Sequence, residues 1–371
     1  MRLMFSARAL HRMAGGVERM ITLIMNEMVV RGHEVDLLTW DLAGAETFFA
    51  MSPEIRWHVL NLGDPARKAG KDLMLRRATR VRDLVRRRRP DVIVCFQGGQ
   101  FMAVRSYIFG LGIPVIAAER NAPTLFDHTQ AGARGRTIMF NAFRLARFVT
   151  VQCESYRTLY PNFLHDRIIT IPNPVFPAHR TAVPDRSADN GRFQLLSIGR
   201  LGYQKNYDCL ISAFARIAER CPEWNVVIIG EGEDRPKLED MVRAAGLEGR
   251  IVLPGTVTDP EDVYAAAHLF CLSSRWEGFP NALAEAQAHG LPAVGFAGCA
   301  GVNELIVDGA TGLLAPGNGD IESLAAALAR LMASPEERCR MGAAARASVR
   351  AYTPDRIMDL WEQTLQRSVR A

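Results

Sequence analysis

Two glutamates with seven residues between them bracket a short polar turn, Glu277-Gly-Phe-Pro-Asn-Ala-Leu-Ala-Glu285. Pro280 suits the first position of a helix, where its fixed φ fits and its missing N–H costs nothing. Gly290 followed by Pro292 closes that helix. A helix over 280–289 places Glu285 roughly 7–8 Å above its N-terminus, at about 1.5 Å rise per residue. Glu277 then lies just outside it. The N–H groups of Gly278, Phe279, Asn281 and Ala282 are expected to be free and to point between the two carboxylates. That makes a small anion site with an acid at each end. A sugar joined to a nucleoside by a diphosphate has matching chemistry: hydroxyls, then anion, then ribose diol.

A second candidate is Gly199-Arg-Leu-Gly-Tyr-Gln-Lys-Asn206, directly after a predicted strand. The Arg200 guanidinium and the Lys205 ammonium can together hold a diphosphate and neutralise charge as a phosphate leaves. The alternative is a solvated loop with two surface charges. Gly230-Glu-Gly-Glu-Asp-Arg235 also follows a strand and opens a helix. It lacks the third glycine and the distant acid of a dinucleotide fingerprint, so turn geometry is its expected role. Leu253-Pro254-Gly255 ends another strand, where exposed backbone could read a base edge. Near the N-terminus, Gly15-Gly16 separates a strand from its helix and suits close backbone approach to a ligand. Turn geometry alone would also explain that pair.

These residues need strands and helices in alternation to position them. Strands are predicted at Leu3–Ser6, Val35–Thr39, Asp91–Phe96, Pro114–Ala118, Phe148–Val151 and Ile168–Ile171. Helices are predicted over 17–31, 71–89, 101–109 and 137–146, with a loop over Gln97–Gln100. Residues 172–191, rich in proline, glycine and charge, form the expected boundary. A second series follows, with strands at 193–198, 225–229, 251–253 and about 270, then 293–296. Its helices are expected at 207–220, 235–245, 262–267, 280–289, 302–307 and 321–332, and an amphipathic helix ends the chain at 354–369. Repeated βα units imply parallel sheets covered on both faces, with ligands at the carboxyl ends of the strands. The expected organisation is a first domain over 1–177, a linker over 178–191 and a second domain over 192–353. The terminal helix, about 354–371, is expected to pack back on the first domain.

At 371 residues, 48% apolar and 23% charged, the chain has the composition of a soluble globular protein. Its seven cysteines form no C-x-x-C pair, so free thiols in a reducing compartment are expected rather than disulfides or zinc. Residues 1–16 lack a continuous apolar run, and no stretch is long enough to cross a bilayer, so a cytoplasmic location is expected. The net charge is +5, and residues 66–89 carry eleven Lys or Arg against Asp72 and Asp83. One segment carries the basicity.

Taken together, the motifs resemble glycosyltransferase family 4 over nearly the whole chain. They are Gly15-Gly16 with Glu18-Arg19, the "GRL…QKN" run, "IIGEGE", "LPG", the E-x7-E pattern and the Gly309-Ala-Thr-Gly312-Leu-Leu turn. The resemblance implies an α/β GT-B fold, two Rossmann-like doubly wound parallel-sheet domains facing across a deep cleft. It also implies roles. Glu285 would take the ribose hydroxyls, while Glu277 with the Gly278 and Phe279 amides would hold the donor sugar. Arg200 and Lys205 would bind the diphosphate, and Gly15 and Gly16 would close over it. Pro280, Asn281 and Gly255 complete the implied donor-binding set. Members sharing this pattern are retaining and metal-independent, so no cofactor is expected. One departure stands out: where many relatives carry a histidine near the reacting carbon, this chain has Arg120 within Ala118-Glu-Arg-Asn-Ala-Pro-Thr124. Either Arg120 and Asn121 line the acceptor side, or His128 reaches in. Glu119 could serve as an acceptor-side base or as a helix-capping acid.

The basic helix admits three readings: a solvated face, contact with anionic lipid, or binding of a lipid-linked diphosphate acceptor through Arg76, Arg77 and Arg80. Nucleic acid is not expected, because no aromatic residues interleave the arginines. The expected activity is retaining transfer of a hexose or N-acetylhexosamine from a nucleotide-diphosphate sugar to a glycan acceptor, a polyprenyl-diphosphate-linked one among the candidates. Bacterial surface polysaccharide, lipopolysaccharide or exopolysaccharide biosynthesis is the expected setting, at the inner face of the membrane. The rivals are a nucleotide-sugar epimerase of the same fold and a non-catalytic nucleotide-sugar-binding scaffold.

Overall fold

A computed structural model of the chain describes residues 1–67, 69–188 and 190–370. Lys68 of the basic segment, Asp189 of the expected linker and position 371 of the terminal segment lie outside the described residues. The chain divides into two compact units, one of Met1–Asn173 with the segment from Asp355 onward, the other of Pro174–Pro354.

The first unit holds a seven-stranded parallel sheet: β1 (Arg2–Ala7), β2 (Glu34–Thr39), β3 (Arg56–Val59), β4 (Val92–Phe96), β5 (Val115–Ala118), β6 (Phe148–Val151) and β7 (Ile168–Thr170). Their order is β3-β2-β1-β4-β5-β6-β7. Strands such as β4 (VIVCF) are apolar at every position because helices cover both faces. These are α1 (Gly16–Val30), α2 (Lys71–Arg88), α3 (Gly98–Tyr107) and α4 (Gly132–Phe143). The chain winds outward from β1 to β3 and then returns to β4 on the other side of β1, in register Leu3 to Val92. That reversal is the place where open α/β sheets leave room for a ligand.

The second unit repeats the scheme with β8 (Phe193–Ile198), β9 (Trp224–Ile229), β10 (Ile251–Gly255), β11 (Leu269–Leu272), β12 (Ala293–Phe296) and β13 (Gly312–Ala315). The order is β10-β9-β8-β11-β12-β13, so the reversal falls between β8 and β11. Its helices are α5 (Tyr207–Ile217), α6 (Arg235–Ala244), α7 (Glu261–Ala265), α8 (Asn281–Ala288), α9 (Val302–Leu305), α10 (Ile321–Ala333) and α11 (Pro335–Ser348). The terminal helix, α12 (Pro354–Val369), belongs almost wholly to the first unit. There Nη1 of Arg31, just past α1, donates to Asp359 and Glu362 at 2.7 and 2.8 Å, and Trp361 stacks near Phe96.

Several expectations need correcting. Gln97–Gln100 is not a loop: α3 begins at Gly98, and α4 begins at Gly132 rather than Thr137. Strands β3 and β13 and helix α11 were not foreseen. The Gly309–Leu314 turn runs directly into β13, where a Cβ on Gly312 would stand 2.1 Å from the Ala293 carbonyl oxygen. Glycine there lets β13 lie close against β12.

Candidate functional site

In the second unit the loops after β8 and β11 emerge side by side at the strand reversal. They are knitted together by backbone and side chain. Arg275 N–H donates to Gln204 O at 2.8 Å, Gln204 Nε2 to Trp276 O at 2.8 Å, and Ser273 Oγ to Lys205 O at 2.9 Å. This frame brings Lys205 Nζ to 2.7 Å from Glu277 Oε1, which also accepts from Ser274 Oγ at 2.5 Å. The Glu277 side chain is only 6% exposed and that of Lys205 17%. A carboxylate buried this deeply needs such a partner, since an unpaired charge out of water is costly.

Helix α8 begins at Asn281, so Pro280 lies one residue outside it rather than at its first position. With φ −78° and ψ 73°, Pro280 is the centre of an inverse γ-turn, and Asn281 N–H donates to Phe279 O at 2.8 Å. The expectation of a free Asn281 amide is therefore corrected: the turn consumes it. Gly278 lies between Glu277 and that turn, and Phe279, the turn's first residue, is buried, edge-on to Tyr352. Further along α8, Glu285 is half-buried and accepts from Tyr264 Oη at 3.0 Å. Tyr264 also donates to Ala282 O at 3.2 Å and stacks on His289 with centroids 4.8 Å apart. Sequence reasoning missed Tyr264, because nothing local links α7 to α8.

Arg200 departs from expectation. Its side chain is 76% exposed and pairs with Glu233 Oε2 at 2.9 Å, not with the Glu277 cluster. The glycines of the 230–235 run explain the pairing. A Cβ on Gly230 would lie 2.0 Å from Gly199 O, and one on Gly232 would lie 2.1 Å from Leu201 O. The two loops thus pack backbone to backbone, with Leu201 N–H donating to Glu231 O. Gly255 closes the same corner at φ +95°, its carbonyl accepting from Gly230 N–H at 2.8 Å.

In the first unit, Gly15 caps α1 and Gly16 is its first residue. A Cβ on Gly15 would meet Glu18 Oε2 at 2.2 Å. Arg120, just past β5, is buried between the rings of Phe96 and Trp361, at 5.3 and 5.1 Å. Burial lowers its pKa to about 10. Its Nη1 reaches Asn173 Oδ1 at 3.4 Å, whereas Nε and Nη2 have no hydrogen-bond partner. Asn121 is half-buried and His128 exposed. Glu119 acts as a capping acid: N–H groups of Arg120, Asn121 and Gly98 donate to its carboxylate, while burial pushes its pKa up. Gln97, at φ +69° and ψ 141°, holds a backbone conformation that side chains rarely adopt, right at the β1/β4 reversal.

On α2, the expected acceptor-side trio divides. Arg76 and Arg80 are exposed. Arg77 is buried over Trp40 and donates to Leu62 O at 2.8 and 3.1 Å, so it is corrected from a ligand-facing cation to a structural one. Among the described residues, no group of three or more His, Cys, Asp or Glu side chains could hold a metal, and no helix is long and apolar enough to cross a membrane.

Residues 15–174 match the glycosyl transferase 4-like domain, and residues 180–348 match the glycosyl transferases group 1. An uncharacterized glycosyltransferase of Haemophilus influenzae is 25% identical over 95% of this chain and 96% of its own. The amylovoran biosynthesis glycosyltransferase AmsD of Erwinia amylovora is 21% identical over 95% of this chain and 96% of its own. Among solved structures, Anabaena Alr3699/HepE in complex with UDP and glucose superposes with a TM-score of 0.76 at 17% identity, over 99% of each chain.

Proposed function

The chain belongs to glycosyltransferase family 4 and has its GT-B fold, and on that footing we propose that it moves a hexose or N-acetylhexosamine from a nucleotide-diphosphate sugar to a glycan acceptor with retention. One relative is named for amylovoran biosynthesis, which supports a role in bacterial surface polysaccharide biosynthesis. The observation that carries the reading is the Lys205–Glu277 contact at 2.7 Å, set at the β8/β11 reversal beside the N-terminus of α8. A solved neighbour of the same fold binds UDP and glucose, which supports a nucleotide-sugar donor.

In this reading Glu277 and the backbone at Gly278 and Phe279 receive the sugar hydroxyls. Glu285, held by Tyr264, receives the ribose diol. Lys205 neutralises the diphosphate as the bond from C1 to its phosphate oxygen breaks, with the α8 N-terminus assisting. Arg200 joins by exchanging Glu233 for phosphate, an exchange its exposure permits. Gly15, Gly16 and Gly255 remain donor-side assignments, and Arg120 and Asn121 acceptor-side ones. The acceptor hydroxyl oxygen bonds to C1 on the face the phosphate leaves, and its proton passes to the departing diphosphate. No carboxylate is assigned as a covalent nucleophile, since Glu277 Oε1 is already engaged by Lys205 and Ser274. The Arg-rich α2 and the seven free cysteines support work at the inner face of an anionic membrane, on a lipid-linked acceptor.

The test is Glu277→Ala. Transfer should fall by roughly two to three orders of magnitude, with the thermal transition retained. Wild-type turnover in that variant would overturn the assignment. Acceptor-independent release of nucleotide by the wild type would instead mark an epimerase.

A further inference from the structure

The first sheet has a second charged edge, away from the carboxyl ends of its strands. Arg147 and Arg167 directly precede β6 and β7, Arg105 lies in the last turn of α3, and Arg144 just follows α4. These four line an open cavity of about 710 Å³, whose lining contains no Asp or Glu. Backbone carbonyls and rings, not acids, hold them. Arg105 Nε donates to Leu145 O at 3.2 Å and Arg167 Nη1 to Ala146 O at 2.8 Å. Arg144 lies 4.4 Å over Phe163 and Arg147 5.2 Å over Phe148, while the buried Nε of Arg147 has no hydrogen-bond partner. None of the four is ion-paired to a described carboxylate.

Clustered cations without acids repel one another, and an anion would relieve that repulsion. Guanidinium forks match phosphate oxygens in pairs. The rim is apolar and open to solvent: Phe109 is 70% exposed and Leu145 56%. From α2, Arg82 Nη1 donates to Phe109 O at 2.8 Å, and the exposed Arg86, Arg87 and Arg89 lie at the end of that helix, shortly before β4 starts. Cations flanked by exposed aromatic and aliphatic side chains suit the interface of an anionic bilayer.

We propose that this cavity docks the phosphodiester headgroups of anionic phospholipids, with Phe109 and Leu145 entering the interfacial layer. It rests on the reading that the protein works at an anionic membrane, and it adds the place of contact. The full chain should be retained on vesicles of phosphatidylcholine with phosphatidylglycerol and not on phosphatidylcholine alone. Arg144→Gln should weaken retention roughly fivefold, and adding Arg105→Gln and Arg167→Gln should bring the loss to roughly a hundredfold. Arg144→Gln removes only an exposed side chain, so unchanged melting and unchanged transfer to a soluble acceptor would show that its fold is intact. Phe109→Ser should also weaken retention. Wild-type protein that ignores the anionic vesicles would overturn the membrane reading itself. Wild type and triple variant retained equally would overturn the cavity alone. Displacement by sn-glycerol 3-phosphate at matched phosphate concentration would assign the cavity to a soluble phosphate and overturn the lipid.

Discussion

Tyr264 holds Glu285, the carboxylate proposed to take the donor's ribose. It donates to Glu285 Oε2 at 3.0 Å and is held against His289, so it fixes the carboxylate assigned to the ribose. A hydrogen bond to a charged group is worth about 1.5–3 kcal/mol. Tyr264→Phe should therefore raise the donor KM roughly tenfold while leaving kcat near wild type, a split that steady-state kinetics resolves. Residues on one short element were legible in the sequence: the spacing of Glu277 and Glu285 needs only one turn and one helix. Arg200 was not, because its direction is chosen by Glu233, which the chain reaches only through the next βα unit. The Asn281 amide was not either, since the ψ of Pro280 decides it. Arg77 was misread because a long basic side chain can lay its stem and its charge on an aromatic ring.

At the scale of elements, the loops after β8 and β9 behave as one object. Gly232 allows the Leu201 carbonyl to sit where a methyl group would stand, 2.1 Å away. Gly232→Ala should cost roughly 1–3 kcal/mol through overpacking. It should also raise the donor KM, because the displaced Leu201 carries the Arg200–Lys205 loop with it. Gly246→Ala is the control: at φ +66° with nothing within 4 Å of its Cβ, it should cost stability without touching the donor KM. Thermal melts and kinetics on both variants would separate the two effects. Strong apolar strands were readable here, β4 and β11 among them. Helix α11 was not, because Ala and Arg dominate its sequence and no apolar stripe repeats. Its Gly342 backs onto the Gly290 carbonyl, where a Cβ would lie 2.1 Å away, a contact that no local pattern announces. Strand β3 (RWHV) was hidden for a related reason: it is a short edge strand, exposed or half-buried along its length.

Across the whole molecule, both sheets repeat one winding scheme, and the alternation of βα units made that scheme readable before any contact was known. Long-range partners, chiefly Arg31 with Asp359 and Glu362, tie α12 to the first unit. Charge is where the two ends of the chemistry part company. The proposed donor site offers its anion a lysine that already has a carboxylate partner at 2.7 Å. Donor capture there would exchange one ion pair for another, and few counterions would need to leave. Its affinity should change little as ionic strength rises. The arginine-lined cavity of the first unit has no internal acid to exchange, so attraction to a charged surface is unscreened until salt supplies the opposing charge. Titrating salt should thus strip the protein from anionic vesicles well before it weakens the donor. In a cell, local ionic conditions would then govern where the enzyme resides far more than whether it holds its sugar.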